Sequence, residues 1–219
     1  MRICSILLAA SLVVALPDPA LAGTIRYPFD VNHSTVGFAA SILKAGRVTG
    51  KFTDFKGEIL VPEDKDLTKA SVEVTIQVVS VDTGVPDRDE HLRTEDFFDA
   101  TKYPEITFRS TKVTRQGDGY LVEGTFSMRG VVKTITIPFQ VRALARFMAV
   151  GADLTINRRE YGIAYNRVMD DGAPFVDDEV EIHLVMLTRI GKLLPETPPA
   201  TPATPPAEPA KDGGSAPIG

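Results

Sequence analysis

Tryptophan is absent from this sequence, cysteine occurs once and histidine three times in 219 residues. Each shortage closes off a class of function. The one cysteine, Cys4, precedes an apolar run, so it is not placed as a lipid-attachment cysteine after one, and no pair exists to form a disulfide. His33, His91 and His183 lie far apart, and no H-x-x-x-H or C-x-x-C spacing offers a metal site. No G-x-S-x-G elbow is present. The formal net charge is −5 with no basic stripe, which argues against nucleic acid. No block of six like charges occurs either, so an anionic membrane surface is not an obvious partner.

Both ends read as non-globular. The start, "MRICSILLAASLVVALPDPALAGT", carries Arg2, an apolar run from Ile3 to Leu16, and Ala20-Leu21-Ala22 before Gly23. That is the layout of a secretory signal peptide over residues 1–22, cut after an A-x-A site. The run is too short to span a bilayer as a stable helix; a retained N-terminal anchor is the alternative. Cleavage would remove Cys4, so an exported chain would hold no thiol, and its stability would come from its core. At the other end, eight of the sixteen prolines fall within the last 25 residues. Residues 191–219 are expected as a Pro/Ala/Thr-rich disordered tail that cannot bury a core. Residues 23–190 then form one domain, expected to be exported.

Within that domain, alternation dominates. Val72, Val74, Ile76 and Val78 alternate with polar residues in "SVEVTIQV". Tyr120, Val122, Phe126 and Met128 do so in "YLVEGTFSM", with Gly124 in phase. The same holds for Ile135, Ile137, Phe139 and Val141, for Met148, Val150, Ala152, Leu154 and Ile156, and for Val180, Ile182, Leu184 and Met186. "TVGFAASI", "VTGKFTDFKGEILV" and "ITFRSTKV" complete about eight half-buried strands. Between Phe52 and Phe55 the apolar phase switches, which predicts a bulge or sharp bend at Thr53-Asp54.

With no long amphipathic helix to cover a sheet, the strands must stack as a sandwich or close into a barrel. Phenylalanines on the apolar face are mixed with Ala40, Gly124 and Ala152. Small residues among large ones fit either a tapered cavity or a solid interdigitated core. A membrane-spanning barrel also alternates, but it carries aromatic girdles, and this chain has no Trp and only five Tyr.

"RDEHLRTEDFFDATKYPEITF", residues 88–108, interrupts the alternation. Seven of its first twelve residues are acidic or basic. Short helical turns are expected over 87–99, with Asp89 and Arg93 paired at i, i+4, Arg88 and His91 on one face, and Thr94 capping a second turn. Phe97 and Phe98 would plug one end of the domain. As chemistry the cluster lacks a nucleophile. For His33 and His183 a surface or turn hydrogen bond suffices.

The chain resembles the YceI-like family of lipocalin-like, polyisoprenoid-binding periplasmic proteins. The likeness rests on "DVNHSTVGF" at 30–38, "GKFTDFKGEI" at 50–59, "VVSVDTG" at 78–84, "RDEHLRTEDFFDATKYPEITFRST" at 88–111, "GTFSMRGVVKTITIPF" at 124–139 and "INRREYGI" at 156–163. It implies an all-β fold, an eight-stranded antiparallel lipocalin-like barrel whose tunnel holds a long isoprenoid lipid or quinone. It also implies no catalytic activity and no cofactor. On that reading Phe38, Phe52, Ile76, Phe108, Val122, Phe126, Ile137, Phe139, Leu154, Ile182 and Leu184 line the tunnel. Arg88, Asp89, His91, Phe97 and Phe98 gate it or hold the ligand's head. The expected partner is the lipid, with no nucleic acid and no membrane span; a homodimer is compatible with the sequence. The rivals are a hydrolase of a related lipid using His91 with Asp89, and an interaction module with a solid barrel.

Overall fold

The alternating segments all fold as strands, and every pairing between them is antiparallel. The computed structural model describes residues 23–144, 147–167, 169 and 175–194. The expected signal peptide and residues 195–219 of the expected tail lie outside them. The strands are β1 (Thr24–Pro28), β2 (Thr35–Ile42), β3 (Gly46–Phe52), β4 (Phe55–Pro62), β5 (Ser71–Gln77) and β6 (Val81–Asp82). After helix α1 (Pro86–Arg93) come β7 (Glu105–Gln116), β8 (Gly119–Met128), β9 (Val131–Leu144), β10 (Phe147–Asn157), β11 (Val176–Leu187) and β12 (Lys192–Leu193).

They form one twelve-stranded sheet in the order β12-β1-β4-β5-β7-β8-β9-β10-β11-β2-β3-β6. The all-β, barrel-like class stands, and the count of eight is corrected. β6 and β12 are two residues each, and β1, "TIRYP", is too short and too proline-bound to show a period. The Val48–Val61 stretch divides into β3 and β4. The phase switch at Thr53-Asp54 is a sharp bend where the chain leaves one edge of the sheet and enters near the other. β3 pairs with β2 and β6, whereas β4 pairs with β1 and β5. The expected tail also starts later, because Lys192 and Leu193 pair with Arg26 and Ile25.

The bend explains why the sheet curls. Thr53 N–H donates to Ser80 C=O (3.1 Å) and Gln77 N–H to Asp54 C=O (2.9 Å), which ties β3 to the end of β5. At the other edge Asp30 N–H donates to Leu187 C=O and Arg189 N–H to Pro28 C=O, both at 2.7 Å, beside a Phe29–Thr188 bridge. The curl places the apolar phase of each strand inside. Phe29, Val36, Phe52, Phe55, Ile59, Val61, Val78, Val81 and Ile106 are buried in one cluster. Phe108, Val113, Val122, Ile137 and Ala152 form a second.

Several inward residues, including Phe38, Ile76, Phe126, Leu154, Ile182 and Leu184, are only half-buried. A side chain that faces inward and still has accessible surface faces a space. Gly124 helps to keep that space open. A Cβ there would sit 2.6 Å from Phe108 Cζ, so the Phe108 ring occupies room on the wall that any other residue would take.

Candidate functional site

The interior holds a cavity of about 520 Å³. Its walls come from β2, β3, β5, β7, β8, β9, β10 and β11, with α1, the crossing after it, and Ile163, Tyr165, Arg167 and Phe175 at the rim. Of the eleven residues expected to line a tunnel, Phe38, Phe52, Ile76, Phe108, Phe126, Ile137, Leu154, Ile182 and Leu184 are on the wall. Val122 and Phe139 are not, and this corrects their assignment. Both keep the inward phase, but Val122 packs with Val113 and Ile137, and Phe139 stacks on Tyr120 at 5.4 Å in that same cluster. Phase fixes the face of a strand and not the depth along it.

Helix α1 covers the cavity because its sequence suits a short helix. Pro86 sits at its first position, Asp87 and Asp89 are in the first turn, and His91 and Arg93 are in the last, all favourable to the helix dipole. Arg88, His91 and Leu92 face the cavity, joined by Phe97 and Phe98 from the following turn. Phe98 packs edge-on against Phe52 at 5.6 Å, and Phe52 meets Phe38 at 5.8 Å. The two phenylalanines thus anchor the crossing to the barrel.

Asp89 is corrected from gate to scaffold. It is 8% exposed and off the cavity wall. Its carboxylate accepts from Thr83 N–H (2.8 Å) and Thr83 Oγ1 (2.6 Å). Arg88 donates to the same threonine, from Nε to Oγ1 (2.7 Å) and from Nη2 to the carbonyl (3.0 Å). The expected Asp89–Arg93 pair is not made. Arg93 donates instead to the carbonyls of Val79 (2.8 Å) and Val81 (2.9 Å), tying α1 to β6. Thr94 does not cap with its side chain: its hydroxyl donates back to His91 C=O, and its carbonyl receives Phe97 and Asp99 N–H.

His91 lies 2.9 Å from Asp96 Oδ2 through Nε2. Its ring stands edge-on to Phe97 (5.0 Å) and Tyr165 (4.9 Å), which are themselves 4.9 Å apart. It therefore joins the crossing to Tyr165 as part of an aromatic rim. The Asp89–His91 dyad that a hydrolase would need is not assembled. Among the described residues the wall contains no serine and no cysteine.

The stretch from Arg158 to Arg167 was not legible as part of the site, since it has no period. Arg158 organises it. This side chain is 3% exposed, and all its donors are used. Nε donates to Asp177 C=O; Nη1 to the carbonyls of Ile163 (3.0 Å) and Tyr165 (2.7 Å); Nη2 to Val176 C=O and to Asp178 Oδ1 (3.0 Å). Burial lowers its pKa and Asp178 opposes that shift, so the guanidinium stays charged. It pins Ile163, Tyr165 and Val176 onto the cavity and has no donor left for a ligand. Arg129, on the β8–β9 turn, donates to Glu95 C=O (2.6 Å) and to Gly162 C=O, which clasps the crossing to the same segment.

The charge of the wall is one-sided. Arg88, Arg158 and Arg167 line it together with the imidazole of His91, and among the described residues no Asp or Glu does. Apart from these, Thr107 and Tyr165, its side chains are apolar. Such a site can hold a long hydrocarbon by burial and orient one polar end at the rim.

Residues 27–187 match the YceI-like domain. The chain belongs to the YceI-like family. Within it, a UPF0312 protein of Vibrio parahaemolyticus is 36% identical over 150 residues, covering 67% of this chain and 76% of that one. Protein YceI of Shigella flexneri is 37% identical over 118 residues, covering 54% and 61%. Burkholderia cenocepacia BcnA has a similar structure, with a TM-score of 0.66 and 26% identity over 73% of this chain and 98% of that one. A polyisoprenoid binding domain from Saccharophagus degradans, implicated in plant cell wall breakdown, shares the fold at a TM-score of 0.57 and 19% identity, covering 75% and 98%. No helix among the described residues is long and apolar enough to cross a membrane.

Proposed function

We propose that this YceI-like chain is an exported, periplasmic carrier that holds a long isoprenoid lipid, of the polyprenyl or isoprenoid-quinone type, in the barrel cavity. The observation that carries the proposal is the cavity of about 520 Å³ with an almost wholly apolar wall. A packed protein interior leaves few voids larger than a water molecule, so a space of this size is kept for an occupant. Each buried methylene is worth about 0.8 kcal/mol, so a fifteen-carbon prenyl stretch gains on the order of 10 kcal/mol before the costs of binding. Hydrocarbon burial alone supplies the affinity. Arg88, His91 and Tyr165 need only orient the head.

The name of the Saccharophagus neighbour agrees with this ligand class, as does the resemblance read from the sequence. The hydrolase reading is disfavoured because Asp89 is committed to Thr83 and His91 to Asp96. The solid-barrel reading is disfavoured by the cavity itself. The test is to strip the protein of bound lipid, add a single prenyl alcohol or quinone, and record native mass spectra. Stoichiometric one-to-one adducts are the expected result. Repeated failure to load any prenyl lipid, with the fold intact, would overturn the proposal.

A further inference from the structure

The hairpin joining β2 and β3 is built against its own turn chemistry. Ala45 N–H donates to Ile42 C=O (3.1 Å), and the two residues between them, Leu43 and Lys44, have φ of 52° and 54°. A turn with positive φ at both central positions favours Asn-Gly, because other L-residues pay a steric cost in the left-handed region. Here a leucine takes the first position with 45% of its surface exposed. The exposed Lys44 beside it is in no ion pair among the described residues, while nearby Arg47 is paired with Glu181. Neither side chain belongs to the buried core clusters. The tip stands at the rim of the cavity: Ile42 and Val48 on its two strands line the wall. Leu43 N–H also donates to the carbonyl of Phe175, another wall residue (3.0 Å).

We infer that this tip is where the carrier meets a bilayer, Leu43 entering the acyl boundary while Lys44 reaches the phosphate of an anionic lipid. The inference rests on the carrier reading, because a protein that takes up a lipid must bring its mouth to the surface holding that lipid. A hairpin tip of three residues, Leu43 to Ala45, is a poor seat for a second copy of the chain. A two-fold contact centred on it would set Lys44 against Lys44. A single leucine and a single lysine give weak, reversible attachment, which suits collection and departure. No long basic block is needed, so the even charge distribution of the sequence is no obstacle.

The test uses the purified protein, vesicles of phosphatidylglycerol with phosphatidylethanolamine, vesicles of phosphatidylcholine alone, and the double variant Leu43→Asn, Lys44→Gly. The variant places the favoured pair in the turn, so its urea midpoint is expected to equal or exceed that of the parent. Its association with the anionic vesicles is expected to fall at least ten-fold, about five-fold of this from the lysine. Loading with a prenyl alcohol presented in detergent should not change, since neither residue is on the cavity wall. Lys44→Glu alone should weaken the anionic-vesicle association and leave the phosphatidylcholine result as it was. Vesicle association unchanged in the double variant would overturn the inference. So would a loss of loading from detergent in step with it, or self-association of the parent that the variant abolishes without vesicle binding by either. Failure of the parent to load lipid from detergent would instead sink the carrier reading, with the vesicle comparison still deciding the role of the tip.

Discussion

Ala40 offers the sharpest way to ask whether hydrocarbon occupies the cavity. It lies on the wall, between Val48 of β3 and Val180 of β11 in register, both of which also face the cavity. Ala40→Trp would project an indole into that space without removing any existing contact. A buried indole covers about 150–250 Å². If the ligand gives up roughly half of that contact, about 100 Å², the loss at ~25 cal/mol/Å² is ~2.5 kcal/mol. The dissociation constant should then rise by nearly two orders of magnitude. The fold should not suffer, because the new side chain fills vacant volume instead of displacing neighbours. Competitive displacement of a fluorescent prenyl probe measures the first quantity, and the urea midpoint measures the second. A variant that keeps its midpoint and binds within about two-fold of the parent would show that the chain of the ligand does not lie in the cavity.

Replacing His91 by Ala separates carrier from enzyme. The His91–Asp96 pair is half-exposed and worth at most about 1 kcal/mol, so affinity measured by the same probe should change by less than about five-fold, whereas a hydrolase would lose orders of magnitude of turnover. Arg158→Met should cost about 3–5 kcal/mol, because four carbonyls and Asp178 lose their buried donor. Hydrogen exchange should then show lost protection in residues 163–167 and 175–178, and protection at the parent level would contradict the clamp role. Acid should destabilise the protein through Asp30, Asp64, Asp66 and Glu181. His33, Lys69, Thr68 and Arg47 respectively hold these carboxylates below their ordinary pKa of 3.8 for Asp and 4.5 for Glu. Their contribution is fully present above those ordinary values and is lost as the pH falls through the lowered ones. The urea midpoint should therefore be flat above about pH 5 and drop below about pH 4. A midpoint that holds or rises there would reverse the sign.

The alternation made most of the barrel legible, since period two assigns each side chain to a face without knowledge of the partner strand. What it did not carry is the position along the barrel. Val122 and Phe126 share a phase on β8, yet only Phe126 reaches the cavity. The phase break at Thr53-Asp54 was visible, but its meaning as a passage between sheet edges depends on pairings with β1 and β6, which lie far away in sequence. In the charged crossing, Arg88, His91, Phe97 and Phe98 could be placed at the mouth. Asp89 could not be told from its neighbours, because its partner Thr83 precedes the helix and carries no signal of its own. Arg158 and Tyr165 were invisible as site residues. Their roles come from carbonyls and rings brought together by the fold, and a lone arginine in "INRREYGI" does not announce that it will be buried.

The central claim is that the apolar cavity of this YceI-like protein is filled by a prenyl lipid in the cell. Mass spectrometry of the organic extract from protein purified out of the cells that make it tests this most directly. The account predicts a prenyl lipid present at close to one molecule per chain and depleted in an extract of the Ala40→Trp variant. Extracts that are repeatedly empty, or that hold only a mixture of membrane phospholipids in equal amounts from both proteins, would contradict it.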